Sequence, residues 1–374
     1  MDKEQLFVTD LGDTVFRYND AVVIQLNGKR NVASTSTLNG GVRSDLAFVF
    51  NKSCGNSPRV KIKPGQKCTY EAYYQQIVDE LGLDGKTCTG MGTSALVENM
   101  AVVTEAYEQL SVTAMVTAGV DANGGRAGDP APYDECTNQT LSPGHGTVNI
   151  FLLINARVPD GTLNRAIVTA TEANCVALQE LMANSVYSHG LATGSGTDTI
   201  IIIGNLESPV YLENAGKHSK LGELIGRSVI KAVKEALDKQ TGMNASRQAS
   251  VTWQNKRYGI TPAKIWESYE HIYGNGARSR EQFEESLREI DRDKKAVAHV
   301  ASCVHLVDQY SWGLLDQKTV HDVCRAHLNA FRSDFGLPGL AGQIFDKHHV
   351  VSTSSFQKKM IDPLVETMAL LCHK

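Results

Sequence analysis

The hydrophobic pattern of this chain changes once, at a short polar segment, and this change constrains the fold more than any other feature. Before that segment, β-branched runs alternate with Gly-rich turns, a pattern that predicts strands. Residues 240–250 are small and polar, as in a linker. After them, apolar residues recur at helical spacing. We therefore predict an α+β fold: a mixed β-sheet domain with packed helices in residues 1–243, followed by an all-α domain in residues 250–374.

Individual elements follow from the same patterns. The predicted strands are 14–18, 21–26, 31–37, 112–117, 147–157 and 199–203. Asn27-Gly28 tolerates positive φ and predicts a hairpin between the second and third of them. The predicted helices are 70–81, 93–110, one with Thr162 as its N-cap, one beginning near Lys220, and 262–273, 279–294, 296–310, 316–334 and 356–372.

Two Gly-rich polar turns mark the first domain as the one that binds a ligand. They are residues 121–129 (DANGGRAGD) and residues 190–198 (GLATGSGTD), and the second runs directly into a β-branched strand. Glycines allow the backbone to approach a ligand closely, while the interleaved polar side chains supply directed hydrogen bonds. We expect the two turns to form opposite walls of one cleft.

Composition excludes several classes of function. A net charge of −4 gives no broad basic surface for nucleic acid. The eight cysteines form no CxxC pair and the histidines show no HxH or HExxH spacing, so we expect reduced thiols and no metal site. No apolar run is long enough to cross a bilayer, and the polar start of the sequence carries no signal segment. We expect a cytoplasmic protein.

Six segments, in matching order, resemble the adenosylcobinamide amidohydrolase family. They are 37–41 (TLNGG), 117–129 (TAGVDANGGRAGD), 146–150 (GTVNI), 168–173 (VTATEA), 190–198 (GLATGSGTD) and 215–226 (AGKHSKLGELIG). The resemblance spans residues 14–240 and leaves 250–374 without a match. One departure is Asn174, which follows Thr-Glu-Ala where the resemblance leads us to expect lysine.

This resemblance implies a specific reaction in corrinoid salvage. The family hydrolyses the amide that joins aminopropanol to the propionate arm of the corrin ring, and the product is adenosylcobyric acid. It implies a corrinoid small molecule as partner and no cofactor, because the cobalt belongs to the substrate. A homo-oligomer, the preferred corrinoid and the role of the helical domain stay open. Two alternative functions also stay open: a non-catalytic corrinoid-binding protein, and an amidohydrolase of another small molecule.

Amide hydrolysis needs an activated nucleophile, donors for the oxyanion and an acid for the leaving amine. In one route, His218 and Glu172 activate water: His218 stands just before a helix start, where the backbone dipole favours a neutral imidazole. In the other route, the hydroxyl of Thr147 attacks. Its position at the start of a strand resembles self-processing amidohydrolases, in which cleavage frees an N-terminal threonine. Asp198, in the second turn, is a further catalytic candidate. The sequence leaves both routes open.

Substrate contacts are expected from polar residues of the matched segments. Arg126 carries a planar fork of donors suited to carbonyl groups, and Asp129 is expected to hold it in place. We expect the first turn to bind the substrate and the second to lie nearer the chemistry. The full set of predicted substrate-binding residues is Asn39, Asn123, Arg126, Asp129, Asn149, Thr169, Thr171, Ser195, Thr197, Lys217 and Ser219.

Overall fold

Two compact units make up the protein, Met1–Asn244 and Ala245–Lys374, in a computed structural model. The structure describes residues 3–54, 70–134, 136–137, 139–140, 146–274, 276–340 and 352–374. Mixed sheets with helices form the first unit, and the described residues of the second are helical, which confirms the predicted α+β class with an all-helical C-terminal part.

The strands are short and lie in the first unit. In chain order they are β1 (Glu4–Val8), β2 (Thr14–Tyr18), β3 (Ala21–Gln25), β4 (Arg30–Ser34), β5 (Gly41–Arg43), β6 (Phe48–Ser53), β7 (Cys88–Thr93), β8 (Ala101–Tyr107), β9 (Leu110–Gly119), β10 (Gly124–Gly125), β11 (Tyr133–Asp134), β12 (Gln139–Thr140), β13 (Thr147–Ile154), β14 (Gly194–Ser195) and β15 (Thr199–Asn205).

Three α-helices belong to the described part of the first unit and the others to the second. They are α1 (Tyr70–Leu81), α2 (Asp160–Glu180), α3 (Lys220–Thr241), α4 (Ala245–Gln248), α5 (Val251–Asn255), α6 (Pro262–Tyr273), α7 (Arg280–Asp291), α8 (Lys294–Ser311), α9 (Gln317–Asp334) and α10 (Thr353–Leu371). Short 3₁₀ helices cover Val97–Asn99 and Lys256–Tyr258. Across the described residues, no helix is long and apolar enough to span a membrane.

Two mixed sheets organise the first unit. One has five strands in the order β1-β2-β3-β6-β7, and the other has six in the order β5-β4-β15-β13-β9-β8. In the centre of the larger sheet, β13 pairs in parallel with β15 and antiparallel with β9. The first residue of β13, Thr147, therefore lies opposite the last residue of β9, Gly119.

The two sheets pack face to face with helices outside them, giving four layers. Apolar residues of both sheets, among them Ile24 and Phe151, share one core cluster. A second cluster joins the outer face of the six-stranded sheet to α2 and α3. A third joins the outer face of the five-stranded sheet to α1. The buried strands of the larger sheet are apolar on both faces because each face is covered, which explains the continuous apolar run of β13.

Two predictions for the first unit were wrong: the hairpin at Asn27-Gly28 and the helix over 93–110. Strands β3 and β4 do not form a hairpin: β3 pairs with β2 and β6, while β4 pairs with β15 and β5. Asn27-Gly28 instead carries the chain from one sheet to the other, and Gly28 takes the predicted positive φ, 119°. No α-helix covers 93–110: this range contains a 3₁₀ helix at Val97–Asn99 and strand β8, which pairs with β9 around a tight turn at Glu108, whose φ is 53°.

The start of α2 also differs from the prediction. The helix begins at Asp160, and the residue at its N-cap is Pro159. The Thr162 hydroxyl, expected to cap the helix, donates instead to the carbonyl oxygen of Glu213 at 2.7 Å. This bond fastens the helix to the segment that leads into α3.

The second unit is a set of packed helices with a core of its own. Local caps define its helix starts: Ser279 forms a capping box with Gln282, and Thr261 precedes Pro262 at the start of α6. A buried ion pair joins α8 to the 3₁₀ helix Lys256–Tyr258, with Nη1 and Nη2 of Arg257 lying 2.6 Å from Oδ1 and Oδ2 of Asp308. Paired and hydrogen-bonded charges of this kind are tolerated in a core.

Candidate functional site

The two Gly-rich turns lie side by side and are hydrogen-bonded to each other. Strand β10 of the first turn pairs antiparallel with β14 of the second, Gly124 opposite Ser195 and Gly125 opposite Gly194. The expectation that the turns form opposite walls was therefore wrong: they form one continuous backbone surface. Glycine is required here, because a Cβ at Gly194 would lie 2.3 Å from the Oδ2 atom of Asp198.

Asp198 ends the second turn and organises it. Its Oδ1 accepts hydrogen bonds from the Val148 amide at 2.8 Å and the Ser195 hydroxyl at 2.5 Å, and its Oδ2 accepts from the Ser195 amide at 2.8 Å. The residue as a whole is half-buried, but the turn encloses its carboxyl group. Desolvation outweighs these three hydrogen bonds and raises the pKa of Asp198 to about 6. A carboxyl group in this range exchanges protons near neutral pH.

Thr147, the first residue of β13, stands next to Asp198 in this arrangement. Its hydroxyl donates to the carbonyl oxygen of Thr197 at 2.8 Å. The preceding carbonyl oxygen, that of Gly146, accepts from the Asn123 side-chain amide at 2.5 Å and from the Thr197 hydroxyl at 3.2 Å. Residues of both turns thus converge on the start of β13, and the structure brings together three of the residues that the sequence assigned to the site, Asn123, Thr147 and Thr197.

A buried chain of hydrogen-bonded amides and hydroxyls begins at Thr147 and extends into the core between the two sheets. The Asn149 amide donates to Asn51 at 2.9 Å and to the Gly92 carbonyl at 3.0 Å, and Asn51 donates to the Thr117 hydroxyl at 2.8 Å. Asn149 is fully buried, so its amide joins the two sheets rather than facing a ligand. Asn51 was missed by sequence reasoning, because only the fold brings β6 of the smaller sheet under β13.

The predicted pair Glu172 and His218 is arranged differently. Glu172 forms an ion pair with Lys217 at 2.7 Å, and both side chains are exposed. His218 is also exposed, just before the N-cap of α3. Thr169, one turn before Glu172, is buried and donates to the Ala215 carbonyl at 2.7 Å, which holds the segment before α3 against α2.

Two residues of α2 that the sequence did not assign to the site, Asn174 and Cys175, donate to the Thr193 carbonyl of the second turn. Burial, followed by the negative charges of Asp198 and Glu172, raises the pKa of the Cys175 thiol, whose Sγ lies 3.2 Å from the Thr193 carbonyl. Asn174 is buried, and its Oδ1 accepts no hydrogen bond from the described residues. The one available signal for Asn174 was its departure from the resemblance.

Arg126 projects from the first turn and is exposed. Asp129 does not pair with its guanidinium but accepts from its backbone amide at 2.8 Å and from the Ser185 hydroxyl at 2.6 Å. Burial opposes ionisation of Asp129, but hydrogen bonds from Ser185, Ser188 and the Arg126 amide outweigh it and lower the pKa. The Arg126 side chain lies over Gly190 of the second turn, where a Cβ would come within 2.5 Å of its Cδ.

The remaining predicted contacts are engaged within the fold. The Asn39 amide donates to the carbonyls of Gly85 and Cys88, both at 2.7 Å. The Thr171 hydroxyl donates to the Ile167 carbonyl of its own helix. Ser219 caps α3 by accepting from the Gly222 amide. In the described part of the chain, no cluster of three or more His, Cys, Asp or Glu side chains is arranged to hold a metal ion.

Comparison with known proteins identifies a family for the first unit. A family model described as adenosylcobinamide amidohydrolase matches residues 7–245. An uncharacterized protein of Methanocaldococcus jannaschii, MJ1613, is 34% identical over 239 residues, which are 61% of this chain and 89% of that protein. An adenosylcobinamide amidohydrolase of Methanosarcina mazei is 29% identical over 220 residues, 55% of this chain and 90% of its own.

Among solved structures, the PH0078 protein of Pyrococcus horikoshii is 12% identical and aligns with a TM-score of 0.30 over 63% of this chain and 81% of its own. The family match covers both Gly-rich turns, the start of β13 and the whole of α2 and α3. The chain belongs to the adenosylcobinamide amidohydrolase family.

Proposed function

We propose that this protein hydrolyses the amide that joins aminopropanol to the corrin propionate arm of adenosylcobinamide, giving adenosylcobyric acid. The observation that carries the proposal is the convergence, at the start of β13, of a hydroxyl, a carboxyl group and two hydrogen-bond donors. These are Thr147, Asp198, the Asn123 amide and the Thr197 hydroxyl. This is the set of groups that acyl transfer from an amide requires.

Within this set, Thr147 is the nucleophile we favour. Its hydroxyl donates to the Thr197 carbonyl of the second turn, and its position is fixed by β13 and by the hydrogen-bonded amides of Asn149 and Asn51. The Thr147 Oγ attacks the substrate carbonyl carbon, the C–N bond breaks and the hydroxyl proton passes to the departing nitrogen, which gives an acyl ester and free aminopropanol. Water then hydrolyses the ester and restores the Thr147 hydroxyl. Asn123 and Thr197, which donate to the Gly146 carbonyl in this structure, are the proposed donors to the developing oxyanion once a substrate carbonyl replaces that of Gly146.

Asp198 contributes positioning and charge. By accepting the Val148 amide it holds the backbone immediately after Thr147, and by accepting from Ser195 it holds the second turn. Arg126 is the proposed contact for the amide arms of the corrin ring, since its exposed fork of donors belongs to the same surface. The alternative route, through Glu172 and His218, uses water as the nucleophile from a more exposed position.

Incubation of the purified protein with adenosylcobinamide tests the proposal directly. We expect aminopropanol and adenosylcobyric acid, both detected by mass spectrometry, in equal amounts. Thr147→Val should abolish their formation while retaining the β-branched shape of the residue. Thr113→Val is the matched control: it is also a buried strand threonine, but it pairs with Leu153, near the other end of β13, and its hydroxyl contacts Thr104.

Two outcomes would contradict the proposal. Tight corrinoid binding without any release of aminopropanol would leave a binding protein rather than an enzyme. Release of ammonia or other amines from simple acyl amides, with no turnover of adenosylcobinamide, would indicate an amidohydrolase with a different substrate.

A further inference from the structure

One amide bond already occupies the candidate site: the peptide bond between Gly146 and Thr147. We propose that the protein cleaves its own chain at this bond, so that Thr147 becomes an N-terminal residue whose hydroxyl is the nucleophile and whose α-amine is the base. The cleavage depends only on the local geometry around this bond, whereas the later role of the freed threonine rests on the proposed amide hydrolysis.

The carbonyl of Gly146 is held as an acyl-transfer site holds its substrate carbonyl. Its oxygen accepts from the Asn123 side-chain amide at 2.5 Å and from the Thr197 hydroxyl at 3.2 Å. Two donors on one carbonyl oxygen polarise the C=O bond and stabilise the oxyanion that forms when the carbon is attacked. One donor comes from the first Gly-rich turn and the other from the second, so the ladder between the turns fixes both.

A glycine is required at the position before Thr147. A Cβ at residue 146 would lie 2.3 Å from the Oδ1 of Asn123 and 2.4 Å from the carbonyl oxygen of Gly119. Any larger residue would therefore displace the carbonyl from its donors. The Asn123 Oδ1 is itself buried and accepts no hydrogen bond from the described residues, so the side chain is oriented by its donation to Gly146.

The nucleophile belongs to the next residue. Thr147 is 2% exposed, and its hydroxyl is directed to the Thr197 carbonyl at 2.8 Å, beside the donors that hold Gly146. The adjoining Val148 amide is bound to Asp198, and Thr147 pairs with Gly119 across the ladder between β13 and β9. The residue that would carry the new N-terminus is therefore anchored on its C-terminal side and remains in place after the bond breaks.

The reaction balances with water as its only co-reactant. The Thr147 Oγ attacks the Gly146 carbonyl carbon through a five-membered ring, the C–N bond breaks, and the hydroxyl proton passes to the departing nitrogen. The result is an ester between Gly146 and the Thr147 side chain, together with a free α-amine. Water then hydrolyses the ester, which leaves a carboxylate on Gly146, restores the Thr147 hydroxyl and releases one proton to the α-amine or to solvent.

Cleavage would prepare the site for an external amide. Departure of Gly146 frees the Asn123 amide and the Thr197 hydroxyl, the two donors to its carbonyl, for a substrate carbonyl in the same place. The new α-amine has an ordinary pKa of roughly 7.7–8.0, so a useful fraction is unprotonated near neutral pH and can accept the proton of its own hydroxyl.

Intact-mass measurement of the freshly purified full chain tests the cleavage. We expect two polypeptides, residues 1–146 and 147–374, whose masses sum to that of the chain plus one water, and sequencing of the second should begin at Thr147. Thr147→Val should remain one chain and Thr147→Ser should cleave. Asn123→Ala should cleave about 100-fold more slowly, the typical loss for one oxyanion donor. Thr113→Val should cleave as the unaltered protein does.

The outcomes separate the two proposals. A wild-type preparation that stays a single chain while it turns over adenosylcobinamide overturns self-cleavage and leaves the proposed function standing. Cleavage at Thr147 without turnover of adenosylcobinamide would support self-cleavage and overturn the proposed function. Equal cleavage of the wild type and of Thr147→Val would show that a contaminating protease cuts the chain, and it would overturn the inference even if the Asn123 variant failed to fold.

Discussion

The enclosure of the Asp198 carboxyl group predicts how the stability of the first unit depends on pH. Desolvation raises the pKa of this group from an ordinary value of 3.8 to about 6. Since one pKa unit corresponds to about 1.36 kcal/mol, ionisation of Asp198 is about 3 kcal/mol less favourable in the folded chain than in the unfolded chain.

The direction of the effect follows from proton binding. Between pH 3.8 and about 6, the folded state binds the Asp198 proton and the unfolded state does not. The free energy of unfolding therefore falls as pH rises through this window, by about 3 kcal/mol in total, and the loss is complete above the folded pKa. The stabilising form is the protonated one, present on the acid side.

Asp198→Asn removes this dependence, because an amide does not ionise. Asn keeps an acceptor for the Val148 amide and the Ser195 hydroxyl but directs an N–H toward the Ser195 amide, which lowers stability by roughly 1–3 kcal/mol at every pH. The difference in unfolding free energy between wild type and variant should still change by about 2 kcal/mol between about pH 4 and pH 7.5.

Urea unfolding followed by two probes measures this difference. Far-UV circular dichroism follows both units, whereas all three tryptophans, Trp253, Trp266 and Trp312, belong to the second unit and report its transition. The tryptophan transition therefore distinguishes unfolding of the second unit from unfolding of the first, which contains Asp198. A wild-type-minus-variant difference that stays flat across the pH range would refute the desolvation argument.

Three further predictions concern the candidate site. Gly194→Ala should lower the free energy of unfolding by about 1–3 kcal/mol in urea titrations and abolish turnover, because its Cβ would collide with the hydrogen-bonded Asp198 carboxylate; unchanged activity would contradict this. Arg126→Ala should raise KM for adenosylcobinamide at least ten-fold with kcat and stability unaltered, since the exposed side chain serves binding; an unchanged KM would remove it from the site. Glu172→Gln and His218→Ala should each lower kcat less than ten-fold, and a loss of 100-fold or more in either would favour the water route.

The sequence predicted the second unit best, because the signals that define its helices lie close together along the chain. Helix α6 has the predicted limits 262–273, and α9 ends where predicted, at Asp334. Caps such as Thr261 and Asp316 lie next to the turns they stabilise, and the apolar stripe of each helix repeats within a few residues. Neither signal depends on which distant segment packs against the helix.

Strand pairing depends on distant segments, and there the prediction failed. The alternation of Ala101–Tyr107 becomes meaningful only beside β9, and nothing between β3 and β4 reveals that they enter different sheets. The same limit applies to the site. Glu172 is paired with Lys217 by the packing of the segment before α3 onto α2, an arrangement that helical spacing cannot disclose.

The geometry of the site follows from the four-layer packing rather than from the turns alone. The hydroxyl of Thr147 lies 3.4 Å from Asn149, whose amide reaches Asn51 in the other sheet. Because these amides are buried, leaving any one unpaired is costly, so the inter-sheet core fixes the start of β13 beneath the paired turns. The turns add what the core cannot: glycines that allow Asp198 and Asn123 to approach the backbone within hydrogen-bond distance. Nucleophile and donors are thus positioned by different parts of the fold, and the peptide bond before Thr147 lies where the two meet.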